Sequence, residues 1–259
     1  MTQEIGRLKV DVLSDGEFRL DGGAMFGMVA RERWEGLCPP DDRHRIRLAT
    51  HGLLVRGPGY VLVLEPGIGG TVDRDAFAVT KEPSLETSLA AFGVAPADVT
   101  HVLLTHLHFD HAGGGDRFPA ARYLVQDLEW RTARAPSVLH NRSYRAEDRL
   151  PEDRLTLLRG EAEPLPGIRV RPTGGHTPGH QVVILGDAAL FWGDLFPTRH
   201  HLSPARTMAY DLEPLAVAER KAALLAESAE RGWLNYLYHE IDPRPFRLAA
   251  DRGRYSIVD

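Results

Sequence analysis

Thr105-His106-Leu107-His108-Phe109-Asp110-His111-Ala112-Gly113-Gly114-Gly115 places three histidines and an aspartate within six residues. The stretch follows an apolar, β-prone run, His101-Val102-Leu103-Leu104-Thr105, and runs into three consecutive glycines. In extended chain, His106 and His108 lie two residues apart and point the same way, so both imidazoles can meet one ion. If the chain then turns into a helix, Asp110 and His111 face a neighbouring position, and two adjacent ions follow. The glycines are expected to let the backbone approach the ions without a Cβ in the way. An isolated histidine on a polar turn is ordinarily a solvated surface residue. Four donors at this spacing, in a chain with 12 histidines, are not explained that way.

Working outward, the run Leu8 to Leu13 alternates like a half-buried strand, and Ser14-Asp15-Gly16 supplies turn chemistry for an opening hairpin. Leu53 to Val55 and Tyr60 to Leu64 read as two strands joined by a tight turn at Arg56-Gly57-Pro58-Gly59. Pro83-Ser84 followed by Leu85, Leu89 and Phe92 predicts a short amphipathic helix stopped by Gly93. A strand from Arg122 to Val125 leads into a helix around Asp127 to Ala133, and Ala135 to Asp153 reads as charged and irregular. Strands are expected at Leu155 to Leu158, Ile168 to Arg171, Gln181 to Leu185 and Ala189 to Trp192. Pro214 starts the clearest helix, with Leu215, Ala218, Ala222, Leu225 and Ala229 on one face and Gly232 at its end, before a last strand from Leu234 to Tyr238. No composition break divides the chain, so residues 1–259 read as a single domain of α/β (α+β) class, two sheets covered by helices.

Composition narrows the chemistry. The chain has 259 residues, 43% of them hydrophobic, enough for a full core. Its formal charge of -5 comes from 31 basic and 36 acidic side chains without a long single-sign block, so neither nucleic acid nor a membrane surface is indicated as a partner. Cys38 is the sole cysteine, which excludes an intramolecular disulfide and a thiolate-rich metal site. The N-terminal stretch has no apolar run long enough for a signal peptide or membrane span, and the expectation is a cytoplasmic protein.

The run from His106 to His111 resembles the HxHxDH signature of the metallo-β-lactamase-fold hydrolases. Thr173-Gly174-Gly175-His176-Thr177-Pro178-Gly179-His180 is similar to that family's GHTPGH turn, Gly193-Asp194 to its bridging aspartate, and His239 to its final ligand. The resemblance spans nearly the whole chain and implies a four-layer αββα sandwich, two mixed sheets flanked by helices. It implies that His106, His108 and His176 hold one metal ion, that Asp110, His111 and His239 hold the other, and that Asp194 bridges them. Nitrogen and oxygen donors suit zinc first, with iron or manganese as alternatives. Two divalent ions about 3.5 to 4 Å apart can share a water, lower its pKa and polarise the electrophile. Asp110 then orients the bridging hydroxide or shuttles its proton, the catalytic role assigned to it here. His180 reads as structural, Glu240 as a candidate support for a ligand imidazole, and His44, His51, His101 and His140 as structural or exposed.

The expected reaction is hydrolysis of an ester, lactone or phosphoester of a small molecule, closest in kind to the lactonase-like and phosphotriesterase-like branches. An iron-dependent oxygenase or persulfide dioxygenase-like oxidoreductase on the same fold is the alternative, and the full ligand set speaks against it. A nucleic-acid-processing hydrolase is a further alternative, weakened by the absence of an added basic domain in this sequence. Homo-oligomerisation is left open. For substrate contacts, the Gly-rich stretch bearing Met25 and Phe26 and the segment after Asp194 bearing Phe196, His200 and His201 are the candidates. Acyl-homoserine lactonases commonly carry a tyrosine three residues after the bridging aspartate, where this chain has Pro197. Glu65 stands where the family usually places an aspartate before a glycine turn, and a structural accommodation is expected there.

Overall fold

The chain is described by a computed structural model covering residues 2–70, 72–145 and 150–258. In chain order its strands are β1 (Gln3–Ile5), β2 (Leu8–Val12), β3 (Glu17–Asp21), β4 (Arg45–Ala49), β5 (Leu53–Gly57), β6 (Tyr60–Leu64), β7 (His101–Leu103) and β8 (Arg122–Gln126). They continue as β9 (Leu155–Leu158), β10 (Ala162–Leu165), β11 (Ile168–Pro172), β12 (Gln181–Leu185), β13 (Ala189–Phe191), β14 (Leu234–Tyr236), β15 (Arg247–Asp251) and β16 (Arg254–Val258). The helices are α1 (Gly22–Phe26), α2 (Arg31–Trp34), α3 (Arg74–Phe77), α4 (Leu85–Ala91), α5 (Phe109–Ala112), α6 (Asp127–Arg134) and α7 (Pro214–Arg231).

A seven-stranded sheet runs in the order β1-β2-β5-β6-β7-β8-β9, antiparallel up to β6 and parallel from β6 onward. The second sheet, β10-β11-β12-β13-β14, is antiparallel until the parallel pair β13 and β14. Val55, Leu62, Leu64 and Leu103 of the first sheet share one buried cluster with Val183, Leu185, Phe191 and Tyr236 of the second. Burial of each such side chain contributes about 1.5–3 kcal/mol. On the outer face of the first sheet, Leu85 and Leu89 of α4 and Trp130 of α6 pack against Val102, Leu104 and Val125. Val217, Leu224 and Leu225 of α7 cover the second sheet through Val182, Ile184 and Leu190. The layers are therefore helix, sheet, sheet, helix, as expected from the sequence.

Local signals act as their chemistry dictates. Ser84 caps α4 by accepting from the Thr87 amide at 3.2 Å, and Gly93 beyond its end has φ +69°. Gly232 closes α7 at φ +62°.

Four readings need correction. Ser14-Asp15-Gly16 does not close the opening hairpin. That hairpin is β1 with β2, and the later turn hands the chain to β3, which pairs with β4 in a separate two-stranded sheet. The Gly-rich stretch is the helix α1, capped by Asp21 Oδ1, which accepts from the Ala24 amide at 2.8 Å. The buried face of α7 is Val217, Lys221, Leu224, Leu225 and Ser228, while Leu215 is 71% exposed. The helix was legible, but its rotation was not, because alanines contribute too little contrast to orient an apolar stripe. The C-terminal hairpin of β15 and β16 is an additional element. Within the stretch from Ala135 to Asp153, turns occupy 138–143, Glu152–Arg154 is one 3-10 turn, and residues 146–149 lie outside the described residues.

Candidate metal centre

Four of the chemistry-bearing side chains stand just past the carboxyl ends of parallel strands: Glu65 after β6, His106 after β7, Asp194 after β13 and His239 after β14. The turn 173–180 between β11 and β12 adds His176, and α5 adds Asp110 and His111. Glu129 of α6 binds these pieces together. Its Oε1 accepts from the Leu107 amide at 3.0 Å and the Tyr144 hydroxyl at 3.1 Å, and its Oε2 from the Thr177 hydroxyl at 2.6 Å and the Gly179 amide at 3.1 Å. Gly179 is required at this contact, since a Cβ there would lie 2.2 Å from the Glu129 nitrogen.

The predicted donors converge into two groups sharing one carboxylate. Asp194 Oδ2 faces His176 Nε2 at 3.2 Å and His106 Nε2 at 3.9 Å, and its Oδ1 faces His111 Nε2 and His239 Nε2, both at 3.2 Å. His108 Nδ1 lies 3.2 Å from His176 Nε2, which completes the first group with His106. Asp110 Oδ2 completes the second, 3.6 Å from His239 Nε2 and 3.9 Å from His111 Nε2. Every one of these residues is buried. His106 Nε2, His111 Nε2 and Asp194 Oδ1 lack a hydrogen-bond partner although buried. Orphaned, inward-facing nitrogens and a carboxylate oxygen are what divalent cations satisfy, so the donor set fits metal ions with a preference for nitrogen and oxygen.

The outward nitrogens are held as ligand imidazoles need. His111 Nδ1 donates to Glu65 Oε2 at 2.8 Å, His176 Nδ1 to Asp211 Oδ1 at 2.8 Å, and His239 Nδ1 to the Ala49 carbonyl at 2.9 Å. His106 Nδ1 meets the Thr105 hydroxyl at 3.0 Å, and His108 Nε2 meets His140 at 3.3 Å. Glu65 thus does more than accommodate a turn: its Oε1 also accepts from the Thr105 amide at 2.5 Å. Glu240 does not support His239; its carboxylate accepts from the Arg199 amide at 2.7 Å. His180 accepts from the Asp194 amide at 3.1 Å through Nε2 and meets the Thr173 hydroxyl at 2.6 Å through Nδ1, a wholly structural pairing. The glycines after His111 serve packing: a Cβ on Gly113 would sit 2.3 Å from the Ile68 carbonyl oxygen, and one on Gly114 2.2 Å from that of Pro66.

The electrostatics follow from burial and from the crowding of imidazoles around two carboxylates. Burial drives His106 and His108 well below the usual imidazole range, and neighbouring imidazoles add to it. Burial also opposes protonation of His176, but the Asp194 and Asp211 carboxylates override it and hold this imidazole up at about 10. Burial would raise Asp194, yet His111, His239 and His176 pull it well below the usual carboxylate range. The site favours positive charge at its centre.

Of the five residues proposed for substrate contact, His200 borders a cavity of about 260 Å³ beside His239, together with Cys38, Thr198, Glu240 and Ile241. Met25 and Phe26 are sealed in an apolar cluster, with Phe26 stacked between Trp34 and His201 at ring separations of 5.6 and 4.8 Å. His201 is itself buried and donates to the Met25 carbonyl at 2.8 Å, and Phe196 lies in the core against Trp192 and Phe246. These four are core residues and do not line that cavity. Sequence reading did not find Asp211, Glu129, Tyr238 or the part played by His140. Their long-range partners lie 15 to 128 positions away, as with the Tyr238 hydroxyl donating to the Asp110 carbonyl, and no local pattern announces such pairs.

The two-sheet sandwich agrees with what is similar to this chain. Solved structures include a probable metal-dependent hydrolase from Staphylococcus aureus, 29% identical, with a TM-score of 0.91 over 99% of both chains. A dizinc quorum-quenching lactonase in complex with a product, at 18% identity, shares the fold with a TM-score of 0.85 over 100% of this chain and 96% of its own. Among curated proteins, the N-acyl homoserine lactonase of a Bacillus species is 35% identical over 107 residues, and that of Rhizobium radiobacter 31% identical over 124. These matches span less than half of either partner, 41% of both chains for the first and 45% of this chain and 47% of the other for the second. A family model matches residues 46–237, from β4 to just past β14 and thus across both sheets. By that match, and by the sandwich whose strand ends carry the donors, the chain belongs to the metallo-beta-lactamase superfamily.

Proposed function

We propose that this protein is a metal-dependent hydrolase of a small-molecule ester or lactone, working as a single unit in which both sheets contribute to one dinuclear site. The observation that carries the reading is the split of Asp194, one oxygen toward each donor group, with both groups complete. Divalent ions there, zinc first among them, would supply Lewis acidity and an activated water as nucleophile. The five imidazoles hold the centre rigid through their outer hydrogen bonds, so little reorganisation accompanies reaction. Asp110, whose Oδ2 lies near His239 and His111 and whose carbonyl accepts from the Tyr238 hydroxyl, is the residue assigned in this reading to take a proton and return it to the leaving alkoxide. The cavity beside His239 is the proposed seat of substrate, with the His200 imidazole and the Thr198 hydroxyl on its wall.

The named activity of the curated relatives favours a lactone over a phosphoester. Pro197 occupies the place of the lactonase tyrosine, and because a proline side chain carries no hydroxyl, a side-chain hydrogen bond to substrate from that position is lost. The test is metal content followed by turnover of an ester, lactone and phosphoester panel, with Asp194→Ala and His176→Ala as controls. Two ions per chain and metal-dependent hydrolysis abolished in both variants are expected. One iron with oxygen uptake would overturn the reading.

A further inference from the structure

We propose that His140 is a positioning residue that sets the tautomer of His108, so that the segment 207–211 orients two imidazoles of the first donor group and none of the second. The inference rests on the metal-centre reading above and goes beyond it by separating the control of the two metal positions.

Donor and acceptor logic fixes the chain of protons. The Tyr210 carbonyl can only accept, and His140 Nε2 lies 2.7 Å from it, so Nε2 carries the proton of His140. Neutral His140 then has a bare Nδ1, and His108 Nε2, 3.3 Å away, must donate to it. His108 Nδ1 is left unprotonated, and it is this nitrogen that faces His176. Both imidazoles are buried, so water is poorly placed to substitute for the missing acceptor if His140 is removed.

The same segment reaches the neighbouring ligand. Asp211 Oδ1 accepts from His176 Nδ1, while its Oδ2 accepts from the Met208 amide at 2.7 Å, which ties the carboxylate back to its own turn. The Ala209 amide donates to the Ala24 carbonyl at 2.8 Å, and the Leu212 amide to the His176 carbonyl at 3.3 Å. Lys221 of α7 clamps the start of the segment through the Arg206 carbonyl at 2.6 Å. In contrast, His111 and His239 are oriented by Glu65, just past β6, and by Ala49 at the end of β4. A displacement of 207–211 therefore loosens His108 and His176 while the second group keeps its supports.

Calorimetric titration of the metal-free protein with Zn²⁺ reads the affinities of the two positions. His140→Phe keeps a ring of similar size and loses the acceptor. It is expected to weaken one affinity by about 10–100-fold and leave the other unchanged. His140→Asn, whose Oδ1 takes the place of Nδ1, is expected to recover most of the loss, and Glu65→Gln to weaken the other affinity. In the Co²⁺-loaded protein, His140→Phe should move the visible absorption of one ion alone. Equal weakening of both positions, or no change in either, overturns the proposal. Should His140→Phe fail to fold, ¹⁵N NMR of the zinc-loaded wild type decides: protonation of His140 at Nε2 and of His108 at Nε2 is expected, and His140 protonated at Nδ1 overturns the relay. A wild-type protein that binds no divalent ion overturns the metal reading itself, before any variant is made.

Discussion

Asp211 Oδ1 accepts a 2.8 Å hydrogen bond from His176 Nδ1, with both side chains 1% exposed. The carboxylate holds Nε2 of this imidazole toward Asp194 and His108 and raises its basicity toward a cation. Asp211→Ala is expected to lower divalent-metal affinity by about 10–100-fold. Competition with a chelator of known affinity measures the change, and an unaltered affinity would remove Asp211 from the machinery.

Glu65 is buried with both oxygens engaged, one by His111 and one by the Thr105 amide. Glu65→Ala strands a buried amide and frees a ligand imidazole, each at a cost of about 1–3 kcal/mol. The metal-free variant should unfold at lower urea than the metal-free parent, and the loaded variant should release its ions sooner. Loss of ions without loss of apo stability would contradict the double role.

Gly179→Ala puts a methyl group against the Glu129 backbone at 2.2 Å, where no flexible side chain can yield. The expected penalty is about 1–3 kcal/mol through displacement of the 173–180 turn. Because that turn carries His176, metal retention should fall together with the melting temperature; an unchanged melting temperature would show that the contact relaxes freely.

Lys221 is fully buried, and burial pushes its ammonium down to about 8 despite the nearby Asp211. Between about 8 and the ordinary value of 10.5 the unfolded chain holds a proton that the folded chain has released. Folding is then favoured by rising pH across this window, and below it the full penalty of a buried charge applies. The stability of the parent relative to Lys221→Met should rise from pH 8 to 10.5. A flat difference across that interval would mean that Lys221 keeps its proton.

Chelation offers a check on the whole centre. His106 Nε2, His111 Nε2 and Asp194 Oδ1 are buried without partners among the protein groups, so stripping the ions leaves their desolvation uncompensated. Melting temperature should drop on chelation and return with added Zn²⁺, by an amount that grows with free metal concentration. No response to either treatment would count against metal binding at this site.

Much of this molecule was legible along the chain. The run from His106 to His111 follows the end of β7, where short-range spacing dictates which side chains point out together, whereas the turn at His176, Gly193-Asp194 and His239 were found through their resemblance to a family pattern. Ser84, Gly93 and Gly232 mark helix ends through backbone chemistry that needs no distant partner. The burial of Met25 and Phe26 was not legible, because an apolar Gly-rich stretch reads alike whether it caps a pocket or fills the space behind it. The rotation of α7, the role of Glu129 as a buckle, and the supports Asp211, Glu65 and His140 were hidden for a related reason: each depends on which residue arrives from another segment.

By itself, then, the amino-acid order determined the donor-rich run from His106 to His111 and the strand and helix ends, through local backbone periodicity and ligand chemistry, and its resemblance to a family pattern supplied the order of the remaining candidate donors. Tertiary structure decided the rest. Packing of the two sheets brought the donor groups to opposite oxygens of Asp194, and the 207–211 segment took up His176 and, through His140, His108. Those choices are set by close packing and by the need of every buried polar group for a partner, neither of which is written in any short stretch of the chain.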